Sequence, residues 1–243
     1  MREIPRFTPV ACLAFAATPA SAQSLSGVFS PDVRPGSKAA EYRMAFTPSD
    51  DGDPDAFAAR LHYQQSVTDN LRLRGIVVGE ENDDGAFAFD SVQFEAQWQF
   101  REDDIHGYDS ALRFDFEVGA RGVPHEVNLN WTNQIFLGGP WFLRAIATAD
   151  VEYGDDSDPG VEFGTRFGLN RRLGGGYRAE IQMFNSYGST ADFPGFDDQR
   201  HVVGPAITGP IGDSPWSFQA STLFGFSEAA ADLDARLFII RSF

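Results

Sequence analysis

With 243 residues and 42% hydrophobic side chains, the chain is long enough for one large domain, and all-β barrels reach this length. Its formal net charge of −16 speaks against a nucleic-acid partner, because nucleic-acid binding depends on basic contacts to phosphates. Cys12 is the single cysteine, which excludes a disulfide framework. No segment reaches 18 consecutive apolar residues, so no transmembrane helix is expected.

The first residues have the parts of a secretory signal peptide. Arg2 and Arg6 precede a short apolar stretch, which ends at Ala20-Ser21-Ala22. A basic start, an apolar middle and a small-x-small exit predict export and cleavage after Ala22. We therefore expect a cleaved signal peptide over 1–22, a periplasmic N-terminal segment over 23–37 and a barrel domain over 38–243.

The rest of the chain follows a period of two. In "VQFEAQWQF", residues 92–100, apolar and polar side chains alternate without exception, and "YDSALRFDFEV" and "VEFGTRFGLN" are similar. Such alternation predicts strands with one apolar and one polar face. The same test gives twelve candidate strands, of which the tenth is the weakest because Pro205 and two glycines interrupt it. They cover residues 38–47, 55–67, 71–79, 87–100, 108–120, 126–136, 141–153, 160–170, 176–187, 199–208, 215–226 and 232–243.

The lengths of the strands and of their connections favour a membrane barrel. A tilted strand needs about 9–11 residues to cross a bilayer, whereas strands in soluble proteins average about five or six. Connections after even-numbered strands, such as "LGGP", are mostly short and glycine-rich, and those after odd-numbered strands, such as "GDDSDPG", are mostly longer and acidic. This asymmetry is typical of barrels with periplasmic turns and external loops. The main rival is a soluble, secreted β-sandwich or lipocalin-like barrel with its apolar faces turned inward.

Aromatic residues support the membrane interpretation. Trp98 falls near the end of the fourth predicted strand, and Trp141 and Trp216 open the seventh and eleventh. All three are therefore expected at the periplasmic rim, together with Phe243. Aromatic girdles are typical of membrane interfaces.

Together, the signal peptide, the alternating strands, the turn asymmetry and the terminal Phe243 resemble bacterial outer-membrane β-barrel proteins of the small porin or channel type. The resemblance implies an all-β, antiparallel, up-and-down transmembrane barrel of about twelve strands in a Gram-negative outer membrane. It also implies contact with lipid and lipopolysaccharide. Phe243, with Ile239 and Leu237 at alternate positions, resembles the signal read by the barrel-assembly machinery, although Arg241 breaks the pattern.

The polar faces of the strands are expected to line the interior if the apolar faces meet lipid. Arginines and carboxylates are nearly balanced there, whereas a porin for acidic sugars would be expected to show an excess of arginine. The pattern predicts a narrow channel for small hydrophilic solutes with a mixed-charge lumen, and the alternative is a closed structural barrel without transport. The predicted lumen-lining residues are Arg43, Arg60, Arg72, Arg74, Arg113, Arg144, Arg166, Arg178, Glu95, Asp115, Glu117, Glu162 and Glu180, joined by Arg200, Arg236, Glu41, Asp109, Asp150 and Asp234.

A lipid-modifying hydrolase of the lipase or lipid A deacylase type is a third interpretation. It needs a serine beside a histidine, but His62 and Ser66 on one strand face stand about 13 Å apart, beyond hydrogen-bond reach. A cross-strand pair stays open. No GxSxG, HExxH or Walker motif is present, so the sequence predicts no enzyme and no cofactor.

The acidic loops contain weak candidates for a cation site. Asp155, Asp156 and Asp158 place carboxylates close together, as sites for hard cations do, but the spacing and closing glutamate of an EF-hand are absent. We expect no dedicated metal centre here. Weak divalent bridging to lipopolysaccharide phosphates is the remaining hypothesis for this loop.

Overall fold

The computed structural model describes residues 25–48, 55–81, 86–103, 106–120, 122–155 and 157–243. The predicted signal peptide, 1–22, lies outside the described residues, as does Asp156. Within the described part of the chain, no helix has the length and apolar character needed to span a membrane.

Twelve strands account for most of the structure, and the twelve predicted strands correspond to them one by one. Each forms where apolar and polar side chains alternate, since successive side chains of a strand point to opposite faces. Among the described residues, the other element is a short 3₁₀ turn, η1 (Phe196–Asp198). The strands are β1 (Lys38–Thr47), β2 (Ala56–Ser66), β3 (Leu71–Glu81), β4 (Phe87–Arg101), β5 (Tyr108–Gly119), β6 (His125–Gly138), β7 (Trp141–Tyr153), β8 (Glu162–Gly174), β9 (Tyr177–Ser189), β10 (Arg200–Pro210), β11 (Trp216–Gly225) and β12 (Leu233–Ser242).

The sheet is a closed, up-and-down antiparallel barrel. Every strand pairs with its neighbours in the chain, and β12 returns to pair with β1, placing Tyr42 opposite Ile239. Closure pairs both edges of the sheet, which a strand protein needs if it is to cross a bilayer. The predicted fold class, a twelve-stranded antiparallel barrel, is confirmed.

The two ends of the barrel differ in their connections. We call the end where β1 begins the turn end and the opposite end the loop end. The turn end carries 67–70, 102–107, 139–140, 175–176 and 211–215, and the loop end carries 48–55, 82–86, 120–124, 154–161, 190–199 and 226–232.

The outer face of the wall is apolar and the inner face is largely polar. Leu61 is 56% exposed and Phe94 58% exposed, whereas Gln97 is 2% and Asn130 0% exposed. A soluble barrel would bury its apolar side chains and expose its amides. The observed arrangement is that of a membrane barrel and is opposite to that of the lipocalin-like rival.

Strand β10 forms in full despite Pro205, and Gly204 explains how. A Cβ at Gly204 would stand 1.9 Å from the carbonyl oxygen of Thr222, so only glycine lets the two strands approach this closely. Pro205 is exposed and faces Ile181 of β9, while the pairing with β11 skips residues 204 and 205, where a proline has no N–H to donate.

We expect Gly204→Ala to lower the stability of the barrel by roughly 1–3 kcal/mol, the range for overpacking. The measurement is the temperature at which the folded barrel loses its distinct mobility on SDS gels. Gly75→Ala in β3 is the matched control, because a Cβ there meets nothing within 4 Å. Equal melting of the two variants would contradict the close-approach explanation.

Candidate functional site: the barrel lumen

The predicted lumen residues lie on the inner face by strand alternation. Arg60, Arg72, Arg166, Arg178, Asp115, Glu117 and Glu162 are partly buried there. The others are buried: Arg43, Arg74, Arg113, Arg144, Glu95 and Glu180. Seven strands from β1 to β9 thus contribute these arginines to the interior.

Ion pairs connect many of these groups. Arg74 lies 2.7 Å from Glu95, and Arg113 lies 3.6 Å from Glu95 and 2.8 Å from Asp115. The carboxylate of Glu95 therefore joins arginines from the two strands that flank β4. Such pairing, with further hydrogen bonds, is what makes a buried charge tolerable.

A second group of charges lies beside the seam between β12 and β1. Asp234 accepts from Arg200 at 3.0 Å and from Arg236 at 3.2 Å, and it also accepts from the hydroxyl of Thr47. Arg43 donates to Glu41 at 2.8 Å. Side-chain contacts therefore link β10, β12 and β1 through the inside of the wall, and His62 of β2 lies 4.0 Å from Glu41.

The interior also holds a piece of the chain itself. Val33 donates its N–H to Gln99 at 2.7 Å, and Gln97 donates to the carbonyls of Ser30 and Pro31 at 3.1 and 2.8 Å. Both glutamines face inward from β4 near the turn end. We call residues 25–33 the lumenal segment.

Arginines from three strands donate to the backbone of the lumenal segment. Arg43 of β1 donates to the carbonyl of Leu25 at 3.0 Å. Arg236 of β12 donates to that of Ser26 at 3.0 Å, and Arg144 of β7 to that of Val28 at 3.5 Å. Because β7 lies across the barrel from the adjacent strands β1 and β12, the segment between them lies in the lumen.

Apolar side chains of the lumenal segment also pack on the inner wall. Leu25 is fully buried with Ala45 and Ala58 near the loop end. Phe29 lies under the guanidinium of Arg113, 3.8 Å from its ring centre. Val28 packs in a cluster with Ile146, Phe184, Val202, Leu223 and Ala230.

The lumenal segment therefore extends from the turn end almost to the loop end. The sequence placed 23–37 outside the barrel as a periplasmic segment, and the structure instead places residues 25–33 within it. The physical reason is that the inner wall offers apolar side chains, which the strand pattern did not show, beside the arginine donors that it predicted. The segment therefore occupies part of the lumen.

Carboxylates gather on the opposite side of the lumen, toward the loop end. Glu117 faces Glu126, which faces Glu152, and Asp150 faces Glu162. Facing residues in a sheet have Cβ atoms about 4.5–5.5 Å apart. Within the described residues, no group of three or more acidic, histidine or cysteine side chains is arranged to hold a metal ion.

The four histidines have partners that do not suit a serine hydrolase. His201 contacts the side-chain oxygens of Asn185 at 2.8 Å and Gln199 at 3.1 Å. His106 contacts Asp103 at 3.0 Å, and His125 accepts from the N–H of Gly119. Both ring nitrogens of the buried His62 are without a hydrogen-bond partner among the described residues. In the described part of the chain, therefore, each histidine lacks the serine partner that a nucleophilic pair needs.

The acidic loop after β7 is an exposed turn. Asp155 is exposed, and Asp158 donates its N–H to Glu152 at 3.0 Å. Asp156, the third predicted candidate, lies outside the described residues.

Asp103 closes the 102–107 turn. The backbone N–H of His106, and then the side chain of Arg101, hold the pKa of Asp103 well below its usual range. Its ionised carboxylate accepts both bonds, at 2.9 and 2.8 Å, and fixes the end of β4 against β5.

The turn end carries the expected aromatic rim. Trp98, Trp141 and Trp216 lie there on the outer face and are 40–46% exposed. Arg241, the residue that breaks the terminal pattern, has its guanidinium 5.5 Å from the Trp216 ring and 4.9 Å from the Phe243 ring. A cation on aromatic faces is stabilised by the ring quadrupoles, which explains an arginine on this face.

The terminal strand keeps the predicted register. Leu237 and Ile239 face Met44 and Tyr42 of β1. Phe243 follows β12, donates its N–H to the carbonyl of Lys38 at 3.0 Å and leaves its side chain 64% exposed.

Sequence reasoning missed two parts of the site. One is the lumenal segment, and the other is the apolar wall that receives it. A signal for the wall exists, since Met183-Phe184 and Val202-Val203 place apolar residues side by side where strict alternation would put one polar residue.

No protein-family model matches the chain, and no curated protein sequence matches it either. Solved structures match over most of their length. The COG4313 outer membrane channel from Pseudomonas putida F1 has a TM-score of 0.66 and 13% identity, covering 87% of this chain and 97% of that one. The chain has the fold of the outer-membrane porins. The KdgM porin has a TM-score of 0.59 and 9% identity, covering 84% and 99%. The NanC porin has a TM-score of 0.57 and 8% identity, covering 84% and 100%.

Proposed function

We propose that the protein is a narrow outer-membrane channel for small hydrophilic solutes, and that the lumenal segment is its plug. One observation carries the proposal: Arg43, Arg144 and Arg236 donate to backbone carbonyls of the segment. These donors line the route that a solute would take. The plug therefore uses the hydrogen-bond donors that a solute would otherwise meet.

The way in which the plug is attached would allow it to leave the lumen without disrupting the barrel. Residues 25–33 form no strand, and the hydrogen bonds described above join their backbone to side chains of the wall. Taking the segment away therefore breaks no hydrogen bond of the barrel ladders. The wall of β1 to β12 closes on itself without it.

Barrel size supports a pore once the plug has left. Eight-stranded barrels are filled by their own side chains, and barrels of 16–18 strands leave an aqueous channel. Twelve strands lie between these limits, so the plug fills space that the inner side chains alone would leave.

The porin fold supports both the channel role and an outer-membrane location, in contact with lipid and lipopolysaccharide. A second KdgM structure, with a TM-score of 0.59 and 10% identity, is described as a complex with disordered oligogalacturonate. Here several of the arginines are paired with carboxylates, which favours smaller solutes of low charge.

Conductance in planar bilayers tests the proposal. Purified full-length protein is expected to show little steady current, and a variant lacking residues 25–33 to conduct continuously, with at least about a tenfold higher mean current per barrel. A shift in SDS-gel mobility on boiling shows that each variant is folded. A folded deletion variant without current would instead support the closed structural barrel.

We also propose that Phe243 is the handle for the barrel-assembly machinery, because its side chain is exposed beyond the last strand. Deleting Phe243 is expected to lower the amount of assembled barrel several-fold, measured as the heat-modifiable fraction in outer membranes. Phe193→Ala is the control, since Phe193 is equally exposed, at 62%, in the 190–199 loop. Normal levels in the deletion would contradict the proposal.

A further inference from the structure

Arg43 and Arg236 form a pair that holds two consecutive carbonyl oxygens. Their strands are adjacent, and Arg43 faces Phe238 while Arg236 faces Ala45. The two arginines are therefore diagonal neighbours, whose Cβ atoms are about 7–8 Å apart or less. Each places a guanidinium N–H 3.0 Å from the carbonyl of Leu25 or Ser26.

The plug gives Arg236 a neutral acceptor. Arg236 is only 4% exposed, and its Nη1 donates to a backbone carbonyl. A backbone carbonyl brings one oxygen, whereas a carboxylate brings two and accepts from a guanidinium in a fork. Charge-assisted bonds of this kind are about twice as strong as neutral ones. The position therefore suits a carboxylate better than the peptide group it now holds.

Each guanidinium of the pair has a carboxylate partner on its own strand and a further N–H turned to the segment. Arg43 is paired with Glu41 and Arg236 with Asp234, while the Nη1 of each holds the carbonyl of Leu25 or Ser26. A carboxylate brings two oxygens, one for each of these two donors.

The surface beside the pair is apolar. Arg43 lies 4.6 Å above the ring of Phe238, and Arg236 lies 4.6 Å above that of Phe184. Phe184 also belongs to the cluster around Val28, with Ile146, Val202 and Leu223. Removing the segment would empty the place of Val28, and a hydroxylated sugar there would bury polar groups without partners, at a cost.

We infer that the opened lumen binds small monocarboxylates with an apolar body, the carboxylate on Arg43 and Arg236 and the body in the place of Val28. This inference rests on the proposed function, since the lumenal segment must move first. Such a solute has one charged end and one apolar end, unlike an oligosaccharide acid.

Block of ionic current tests the inference with two probes of equal charge. Benzoate and gluconate are added in turn to the variant lacking residues 25–33 in planar bilayers, and the half-blocking concentration is measured. We expect the benzoate value to be at least about tenfold lower. Arg236→Gln in the same background should raise it about tenfold, because a charge-assisted bond is lost.

Arg172→Gln is the matched control. Arg172 is an exposed arginine at the turn end that contacts Phe136 and Phe142, so its replacement should leave the benzoate value unchanged. The inference is overturned if the two anions have equal half-blocking concentrations, or if Arg236→Gln and Arg172→Gln raise the benzoate value equally. Neither result would contradict the proposed channel. Absence of current would overturn the proposed channel itself. If the deletion variant does not fold, the same titrations are made on Val28→Asp in the full chain.

Discussion

Replacing Val28 by aspartate in the otherwise intact chain is expected to open the lumen. Val28 is 4% exposed and packs against apolar side chains from β7, β9, β10 and β11. A carboxylate among these apolar side chains would lose most of its hydration, at a cost of several kcal/mol. The substituted segment is expected to leave the lumen, because only the plugged state bears that cost.

The effect on conductance should be large. A difference of about 3 kcal/mol between the plugged and open states shifts their ratio roughly 100-fold. Mean current per barrel in planar bilayers is the measurement. Val67→Asp, at a valine that is 47% exposed in the 67–70 turn, is the control and should conduct like the unmodified protein. If folded Val28→Asp barrels carry no more current than the unmodified protein, the packing of Val28 does not hold the plug in place.

Asp234→Ala is expected to weaken the barrel more than any other single loss of a carboxylate considered above. The side chain of Asp234 is 1% exposed and receives bonds from Arg200 and Arg236. Its removal leaves two guanidinium groups without their shared partner beside the β12–β1 seam. Breaking a buried pair in this way costs about 3–5 kcal/mol.

Thermal loss of the compact form on SDS gels, or unfolding in urea, measures the effect of Asp234→Ala. Asp213→Ala is the control, since Asp213 is exposed in the 211–215 turn. An equal, small effect in both variants would show that Asp234 does not hold the seam together.

Much of the wall followed from the sequence because alternation is a local property. The run from Val92 to Phe100 shows its two faces directly in the order of the residues, and β4 forms there. Strand ends were less certain, and β8 continues to Gly174 beyond the predicted 170. β10 looked weak on account of Pro205, because sequence alone does not show that Gly204 lets the neighbouring strand come close.

The contents of the lumen could not be read in the same way. The lumenal segment has no strand pattern, and its partners are far away in sequence. Val33 meets Gln99, 66 positions on, and Ser26 meets Arg236, 210 positions on. The inward direction of an arginine is predictable from alternation, but its acceptor depends on the register and on what else enters the barrel.

The individual ion pairs could not be predicted from the sequence either. Arg113 contacts Glu95 on the adjacent strand and Asp115 two positions along its own. The balance of signs in the sequence suggested pairing in general. Only the register of β4 and β5 shows which carboxylate each arginine reaches.

Disulfide trapping tests most directly the central claim that residues 25–33 occupy the lumen. Leu25 packs in one buried cluster with Ala58, so Leu25→Cys with Ala58→Cys in a Cys12→Ser background should cross-link under mild oxidation. Leu25→Cys with Ala111→Cys, a buried inner position at the turn end, is the control pair. The account predicts a high yield of the first cross-link in folded barrels and little of the second, measured by mass spectrometry. No cross-link in the first pair, or equal yields in both, would contradict a plug in the lumen.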